Sequence, residues 1–243
     1  IGQVTYQRNK GKNLFDAKVE YRKSPATQKY QQTLLDDSGK DRLNNRRLKS
    51  SYSFISADLY YMHTFNSKKN LSLDILNTCY SSSSDNSLAG NVSDYSFENY
   101  IKNKSYSLIA EVLYSDKLWN GDWNTGAYYQ YKNLNQKYNN TGKSTVNTQK
   151  EYFYTDYSNR TGKMSYNAGL GLENDHYKTA TNETFNYLIF RPMLTLNMEY
   201  NKYTSMRYSA SVNSSVPNVG DLTNSIVMVD QHFYTQGNTG LKP

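Results

Sequence analysis

The chain has 243 residues, of which only 37% are hydrophobic, and its mean hydropathy is −0.86. This polar average excludes a bundle of membrane-spanning helices, because no segment approaches the roughly 18 consecutive apolar residues that such a helix needs. The net charge of +7 is spread along the chain apart from one basic cluster at 42–49, and so sparse a positive field is more typical of a hydrated surface than of nucleic-acid binding.

Apolar and polar residues alternate along most of the chain, as they do in strands with one apolar and one polar face. The abundance of Tyr, at 25 residues, and the scarcity of Pro, at 4, also favour strands. In chain order the alternating segments are 15–21, 51–65, 71–75, 104–114, 123–133, 150–157, 163–173, 188–200 and 206–213. We therefore predict an all-β protein, an antiparallel meander of about ten long strands.

The most regular of these segments is KMSYNAGLGLE at 163–173. Gly169 and Gly171 lie on its polar face, where small residues leave room for a neighbouring element or a crossing side chain. Its apolar face consists of Met164, Tyr166, Ala168, Leu170 and Leu172. At 11 residues this segment has the length of about 9–11 residues that a strand needs to cross a bilayer, whereas strands in soluble proteins average about 5–6.

The links between the strands differ in length in a regular way. Outer-membrane barrels have short turns at the periplasmic end and longer loops outside, so an alternation of short and long links favours a transmembrane β-barrel. The short links are 66–70, 115–121, 158–162 and 201–204, and the long polar ones are 81–103, 134–149, 174–184 and the segment from 214 onward.

Aromatic residues stand at the start of each short link, at Phe65, Tyr114, Tyr157 and Tyr200. In a barrel these rings are expected at the membrane interface. Two prolines, Pro25 and Pro192, fall inside predicted strands, where we expect irregular pairing.

Residues with catalytic or metal-binding chemistry are scattered. The three histidines lie far apart, the serines lack the Gly-x-Ser-x-Gly turn, and Cys79 is the only cysteine. We therefore expect neither an enzyme nor a cofactor, and we expect Cys79 to be structural.

Four motifs in the last part of the chain follow one another in an order that is similar to the β-barrel region of TonB-dependent outer-membrane receptors, specifically the outer membrane protein β-barrel family. Two positions depart from the family pattern: Thr239 stands where Pro is usual, and Gly171 stands where a basic residue is common. The residues that match are Gly169, Leu170 and Glu173, then Pro192, then Pro217 and Leu222, and finally Gly237, Asn238, Leu241, Lys242 and Pro243.

The resemblance implies a bacterial outer-membrane location and a transporter whose complete barrel has 22 strands around a plug. Residues 1–243 are then a single partial β-barrel domain that lacks the plug and the remaining strands. The implied function is TonB-dependent uptake of a small nutrient. The implied partners are outer-membrane lipid, a TonB-type energy-coupling complex acting through the missing plug, and a surface lipoprotein, with no nucleic acid.

The long links are the expected ligand-binding parts. The residues that we expect to contact ligand are Tyr95, Phe97, Tyr100, Tyr138, His176, Tyr177, His232, Phe233 and Tyr234. Two alternatives remain at this point. A soluble secreted β-sandwich or adhesin that binds carbohydrate through its tyrosines predicts apolar faces that pack on each other, and a plain porin predicts ion conductance without energy coupling.

Overall fold

A computed structural model of the chain describes residues 1–35, 41–90, 97–139, 142–178, 184–212, 226–228, 234–236 and 238. Ten strands form one sheet, and two short strands, β11 (Ile226–Met228) and β12 (Tyr234–Gln236), form a separate pair. The ten strands are β1 (Gly2–Lys10), β2 (Asn13–Leu35), β3 (Asp41–Asn66), β4 (Lys69–Gly90), β5 (Phe97–Leu118), β6 (Gly121–Tyr138), β7 (Gly142–Thr161), β8 (Met164–Lys178), β9 (Thr184–Asn201) and β10 (Thr204–Ser211). No helix in these ranges is long and apolar enough to cross a membrane.

Each strand of the large sheet pairs antiparallel with the next one in the chain, in the order β1 to β10. This confirms the predicted all-β meander of about ten strands. No ladder joins β1 to β10 in the part of the chain that the structure describes, so the sheet is an open, partial barrel.

Tight turns connect the strands at one end of the sheet. The links at 11–12, 67–68, 119–120, 162–163 and 202–203 are each two residues long. The positions of the four predicted short links are thus confirmed, but their predicted bounds were too wide, because 115–118 and 158–161 are paired strand. In the β5–β6 turn both central residues, Trp119 and Asn120, have positive φ, at 46° and 65°. That is the geometry of a type I′ turn, whose twist matches that of the flanking strands.

At the opposite end the strands are far longer than predicted. The ranges 81–103, 134–149 and 174–184, expected to be loops, are mostly paired strand, and the connections that remain between the strands lie largely outside the described residues. The prediction failed because it required apolar alternation. A ladder of backbone hydrogen bonds continues without alternation where polar side chains also bond across it, as Ser51 and Ser83 do through their Oγ atoms at 2.8 Å.

The expectation of irregular pairing at the two prolines is wrong, because both lie in regular register, Pro25 opposite Ser51 and Pro192 opposite Leu170. The Pro192 carbonyl accepts a bond from the Val212 amide at 3.2 Å, so its nitrogen also faces β10, at the point where β10 ends. Pro25 faces the β1 side, beyond the last β1 pair at Tyr21. Neither missing N–H therefore interrupts a ladder.

Candidate functional site

The two faces of the sheet differ in chemistry. On the outward face, apolar side chains are exposed, with Phe153 60%, Leu170 54% and Phe190 57% accessible. The register aligns these residues from strand to strand, since Phe153 lies opposite Leu172 and Leu172 opposite Phe190. The result is a continuous apolar band, which we define as the outward residues of 13–21, 55–63, 71–79, 106–114, 123–131, 153–157, 164–172, 190–198 and 206–210.

Aromatic residues mark the end of this band nearest the short turns. Of the four predicted rings, Tyr114 and Tyr157 occupy outward positions in the strand register. Phe65 and Tyr200 lie at register shifts and contact outward residues, His63 with ring centroids 4.6 Å apart and the Met206 sulfur at 3.9 Å. Tyr114 packs edge to face on Trp123, with ring centroids 5.8 Å apart. This arrangement is typical of the interfacial girdle of a membrane barrel, and by analogy with such barrels the short turns mark the periplasmic end.

The inward face is polar and carries a group of charges, which we call the charge quartet: the buried carboxylates Glu173 and Asp175 and the partly exposed cations Lys150 and Arg191. Glu173 Oε1 accepts from Lys150 Nζ at 2.8 Å and from Arg191 at 2.7 Å. Lys150 also lies 3.6 Å from Asp175, whose side chain has no exposed surface. Two cations and two carboxylates thus lie together on this face, where the opposite charges offset part of the cost of burying the carboxylates, although neither oxygen of Asp175 has a hydrogen-bond partner among the described residues.

Glycines on the same face make room for tyrosines. A Cβ at Gly171 would collide with the Tyr152 ring, and a Cβ at Gly126 would collide with the Tyr154 ring. These glycines therefore let the two rings lie across neighbouring strands, where they stack at 5.3 Å. For Gly171, this confirms the prediction that the glycines of 163–173 accommodate a crossing side chain.

The Tyr154 hydroxyl donates to Glu111 Oε1 at 2.5 Å, which extends the polar surface from β7 across to β5. Glu111 lies directly opposite Asp74 on β4. The inward face therefore carries carboxylates, hydroxyls and cations over successive strands, whereas the apolar band on the outward face carries such groups at a much lower density.

An aromatic group lies above the charge quartet, farther from the short turns. The Tyr177 and Tyr187 rings are 6.2 Å apart, and Phe185 stacks on Tyr187 with centroids 6.4 Å apart and planes 3° from parallel. Tyr177 is buried. Rings next to buried charges provide both apolar and polar contacts on the inward face.

The structure separates the predicted ligand residues. Tyr177 and Tyr138 take inward positions, and the Tyr138 hydroxyl donates to Gln136 at 2.9 Å. His176 and Tyr100 take outward positions, where His176 contacts Asn186. The side chains of Tyr95, Phe97, His232, Phe233 and Tyr234 lie outside the described residues, although the backbones of Phe97 and Tyr234 belong to β5 and β12.

Sequence reasoning missed the charge quartet. Its members come from β7, β8 and β9, and their separations along the chain have no recognisable motif. The sequence does indicate that Glu173 and Asp175 lie on the same face as Gly171, because the three residues alternate with the apolar residues of one strand. Only the register shows that Lys150 and Arg191 reach the same point.

At the short-turn end, Lys69 and Asp116 join two neighbouring hairpins through an ion pair of 3.0 Å. Asp116 also accepts from the Lys117 amide at 2.8 Å and from the Tyr114 hydroxyl at 3.2 Å. The hydrogen bond from Lys69 is the main reason why the pKa of Asp116 lies below its usual value, and the same bond raises the pKa of Lys69. Both residues lie beyond the apolar band, nearer to the turns.

The described residues form no recognisable metal-binding site. Among the described residues, no group of three or more His, Cys, Asp or Glu side chains is placed to hold a metal ion. Cys79 is a free thiol on β4, exposed at the outward surface.

Comparisons with solved structures find distant neighbours. The unliganded ferric citrate transporter FecA is 11% identical with a TM-score of 0.47, and the match covers 78% of this chain and 39% of that one. The FrpB iron transporter from Neisseria meningitidis (F3-3 variant) is 10% identical with a TM-score of 0.46, covering 88% and 45%. The chain thus spans less than half the length of these two neighbours.

A third neighbour is the translocator domain of the autotransporter NalP from Neisseria meningitidis, at 14% identity and a TM-score of 0.36, with coverage of 87% and 79%. No curated protein matches the chain.

A family comparison covers the part of the chain that carries the four sequence motifs. The sequence model of the Outer membrane protein beta-barrel family matches residues 152–243. The expected resemblance is therefore confirmed over these residues. With its antiparallel meander and its two contrasting faces, the chain is part of a β-barrel of the bacterial outer membrane, and its residues 152–243 match the sequence model of the Outer membrane protein beta-barrel family.

Proposed function

We propose that the chain forms part of the wall of an outer-membrane receptor that takes up a small nutrient. The observation that carries this proposal is the contrast between the faces: exposed apolar side chains outside, and the charge quartet with Tyr154 and Glu111 inside. A barrel built from such a wall has a polar interior that accommodates a hydrated solute, while the outward band contacts lipid.

The ligand site of this proposal lies at the end of the sheet away from the short turns. Tyr177 and Tyr138 support it most directly, because both occupy inward positions there. His176 and Tyr100 belong to the outward face and would meet ligand only at the outer rim. The complete set of proposed contacts is Tyr95, Phe97, Tyr100, Tyr138, His176, Tyr177, His232, Phe233 and Tyr234.

The proposal further includes energy coupling. In this view the uptake is TonB-dependent, with a plug that connects the barrel to the energy-coupling complex, and a surface lipoprotein assists ligand capture. The family match over residues 152–243 supports this part by resemblance. No enzymatic step is proposed.

Uptake by cells tests the proposal. A strain that lacks the gene and a complemented strain would be supplied with a panel of labelled small nutrients, with and without a protonophore. We expect one nutrient to accumulate only in the complemented strain and only with an energised inner membrane. Tyr177→Ala should lower its uptake, whereas Tyr208→Ala on the outward face of β10 is the matched control.

Two outcomes would contradict the proposal. Equal passage of many solutes with the protonophore present, together with ion conductance in planar bilayers, would identify a porin. Recovery of the full-length protein in the aqueous phase after detergent partitioning, with binding to carbohydrate, would identify an adhesin.

A further inference from the structure

An apolar groove interrupts the outward band near the short-turn end. Its volume is about 810 Å³, within the range of roughly 300–1,000 Å³ in which proteins bind small ligands. The lining is almost wholly apolar, and its side chains include Trp123, Tyr157, Leu170 and Leu194.

The strand register explains why a groove forms at this point. One row across four strands reads Tyr157, Ala168, Leu194 and Ala210, so that large and small side chains alternate from β7 to β10. Each alanine leaves a depression between its larger neighbours. The groove therefore forms because the side chains of Ala168 and Ala210 are small.

The two tryptophans of the chain both border this groove, Trp119 from the β5–β6 turn and Trp123 from β6, where it lies opposite Tyr157. Trp119 packs edge to face on Tyr157 at 6.4 Å. The Trp123 indole donates to Thr155 Oγ1 at 2.8 Å, so its one polar group is satisfied within the apolar surface. Amphipathic rings of this kind prefer the level of the lipid headgroups.

We propose that the groove is a binding site for one acyl chain of a phospholipid from the periplasmic leaflet. The groove is continuous with the band that contacts lipid, and its aromatic border lies at the short-turn end. The described residues that line the groove include no Lys or Arg that could pair with a lipid phosphate. The groove therefore binds the acyl chain, and the lipid headgroup remains at the aromatic border. This inference goes beyond the proposed function and requires only that the barrel be inserted.

Photolabelling tests this site. The full-length protein is reconstituted in phosphatidylethanolamine vesicles that contain a small fraction of phosphatidylethanolamine with a diazirine on one acyl chain. After illumination, lipid adducts are mapped on peptides. We expect roughly fivefold more adducts around Ala168 than around Ala17, a ratio that corresponds to about 1 kcal/mol.

Ala17 is the matched comparison because it is an outward alanine on β2, four residues from the first residue of its strand, as Ala168 is on β8. Ala168→Phe should remove the excess, whereas Ala17→Phe should leave it unchanged. Equal labelling at the two sites, or equal loss in both variants, would show only general contact with the bilayer and overturn the proposal. Nutrient uptake is measured separately, so failure of either proposal is recognised independently.

Discussion

At the scale of single residues, the absence of a side chain at two glycines determines how the inward face packs. Gly171 and Gly126 have no special backbone conformation, and their role is to admit the rings of Tyr152 and Tyr154. Tyr154 then reaches Glu111 on β5, two strands from its own strand. Side-chain volume at two positions thus determines which polar groups meet.

Replacement of Gly171 tests this role. Gly171→Ala places a methyl group where the Tyr152 ring lies, so we expect a loss of about 1–3 kcal/mol in the free energy of unfolding, as for overpacked sites. Urea titration in lipid vesicles measures the loss. Adding Tyr152→Ser should restore most of the stability, and Gly2→Ala, whose Cβ would have no atom within 4 Å, serves as the control.

The charge quartet gives a second prediction. Glu173→Ala leaves Lys150 and Arg191 without their shared carboxylate, and we expect a loss of about 2–3 kcal/mol, below the range for fully buried pairs because both cations retain some exposure. Equilibrium unfolding measures it.

The control for Glu173→Ala is Glu199→Ala. Glu199 pairs with Arg160 at 3.1 Å, but both side chains are more than half exposed, so the loss there should be below about 1 kcal/mol. Equal losses in the two variants would contradict the structural role of the quartet.

At the scale of elements, strand positions and faces were predictable and strand ends were not. Alternation identified each of the segments that became the apolar band, because both lipid and the lumen impose a period of two. The Ser- and Asn-rich continuation of β3 and β4 has no such period, so only pairing with the neighbouring strand reveals it. The charge quartet was missed for the same reason, since register and not sequence brings three strands together.

The hairpins at the short-turn end are tied by Lys69 and Asp116, and this pair gives a prediction of pH dependence. Because the folded-state pKa of Asp116 lies below its usual value, the pair stabilises the fold above that usual value, and the contribution is lost as pH falls through the folded pKa. Asp116→Asn should therefore lower the denaturant midpoint at neutral pH, with a difference that shrinks below about pH 4.

Denaturant midpoints over a pH series measure the effect of Asp116→Asn. Asp122→Asn is the control, because the Lys117–Asp122 pair is exposed and 3.5 Å long. A difference for Asp116→Asn that persists unchanged in acid would contradict the assignment of the effect to ion pairing.

At the scale of the whole molecule, the sheet separates two environments, and a matched pair of substitutions distinguishes them. Ile75 and Leu76 are neighbours on β4 at the same depth, with Ile75 outward and Leu76 inward. Ile75→Arg should cost about 2–4 kcal/mol of stability in phospholipid vesicles, because it places a charge in lipid. Leu76→Arg should cost clearly less, because its charge faces the polar interior.

Unfolding in vesicles and the yield of inserted protein measure both variants. Similar losses for the two would mean that the faces do not separate lipid from lumen, and the barrel assignment of the outward band would fail.

The continuation of β3 beyond the apolar band has a consequence for the proposed capture of a solute. Residues 41–53 of β3 lie past the band and pair on both sides for most of their length. At about 3.4 Å per residue they extend roughly 40 Å along the strand. A surface carried on such a paired ribbon is ordered before anything binds, so capture of a solute there loses less conformational entropy than capture by a flexible loop of equal reach.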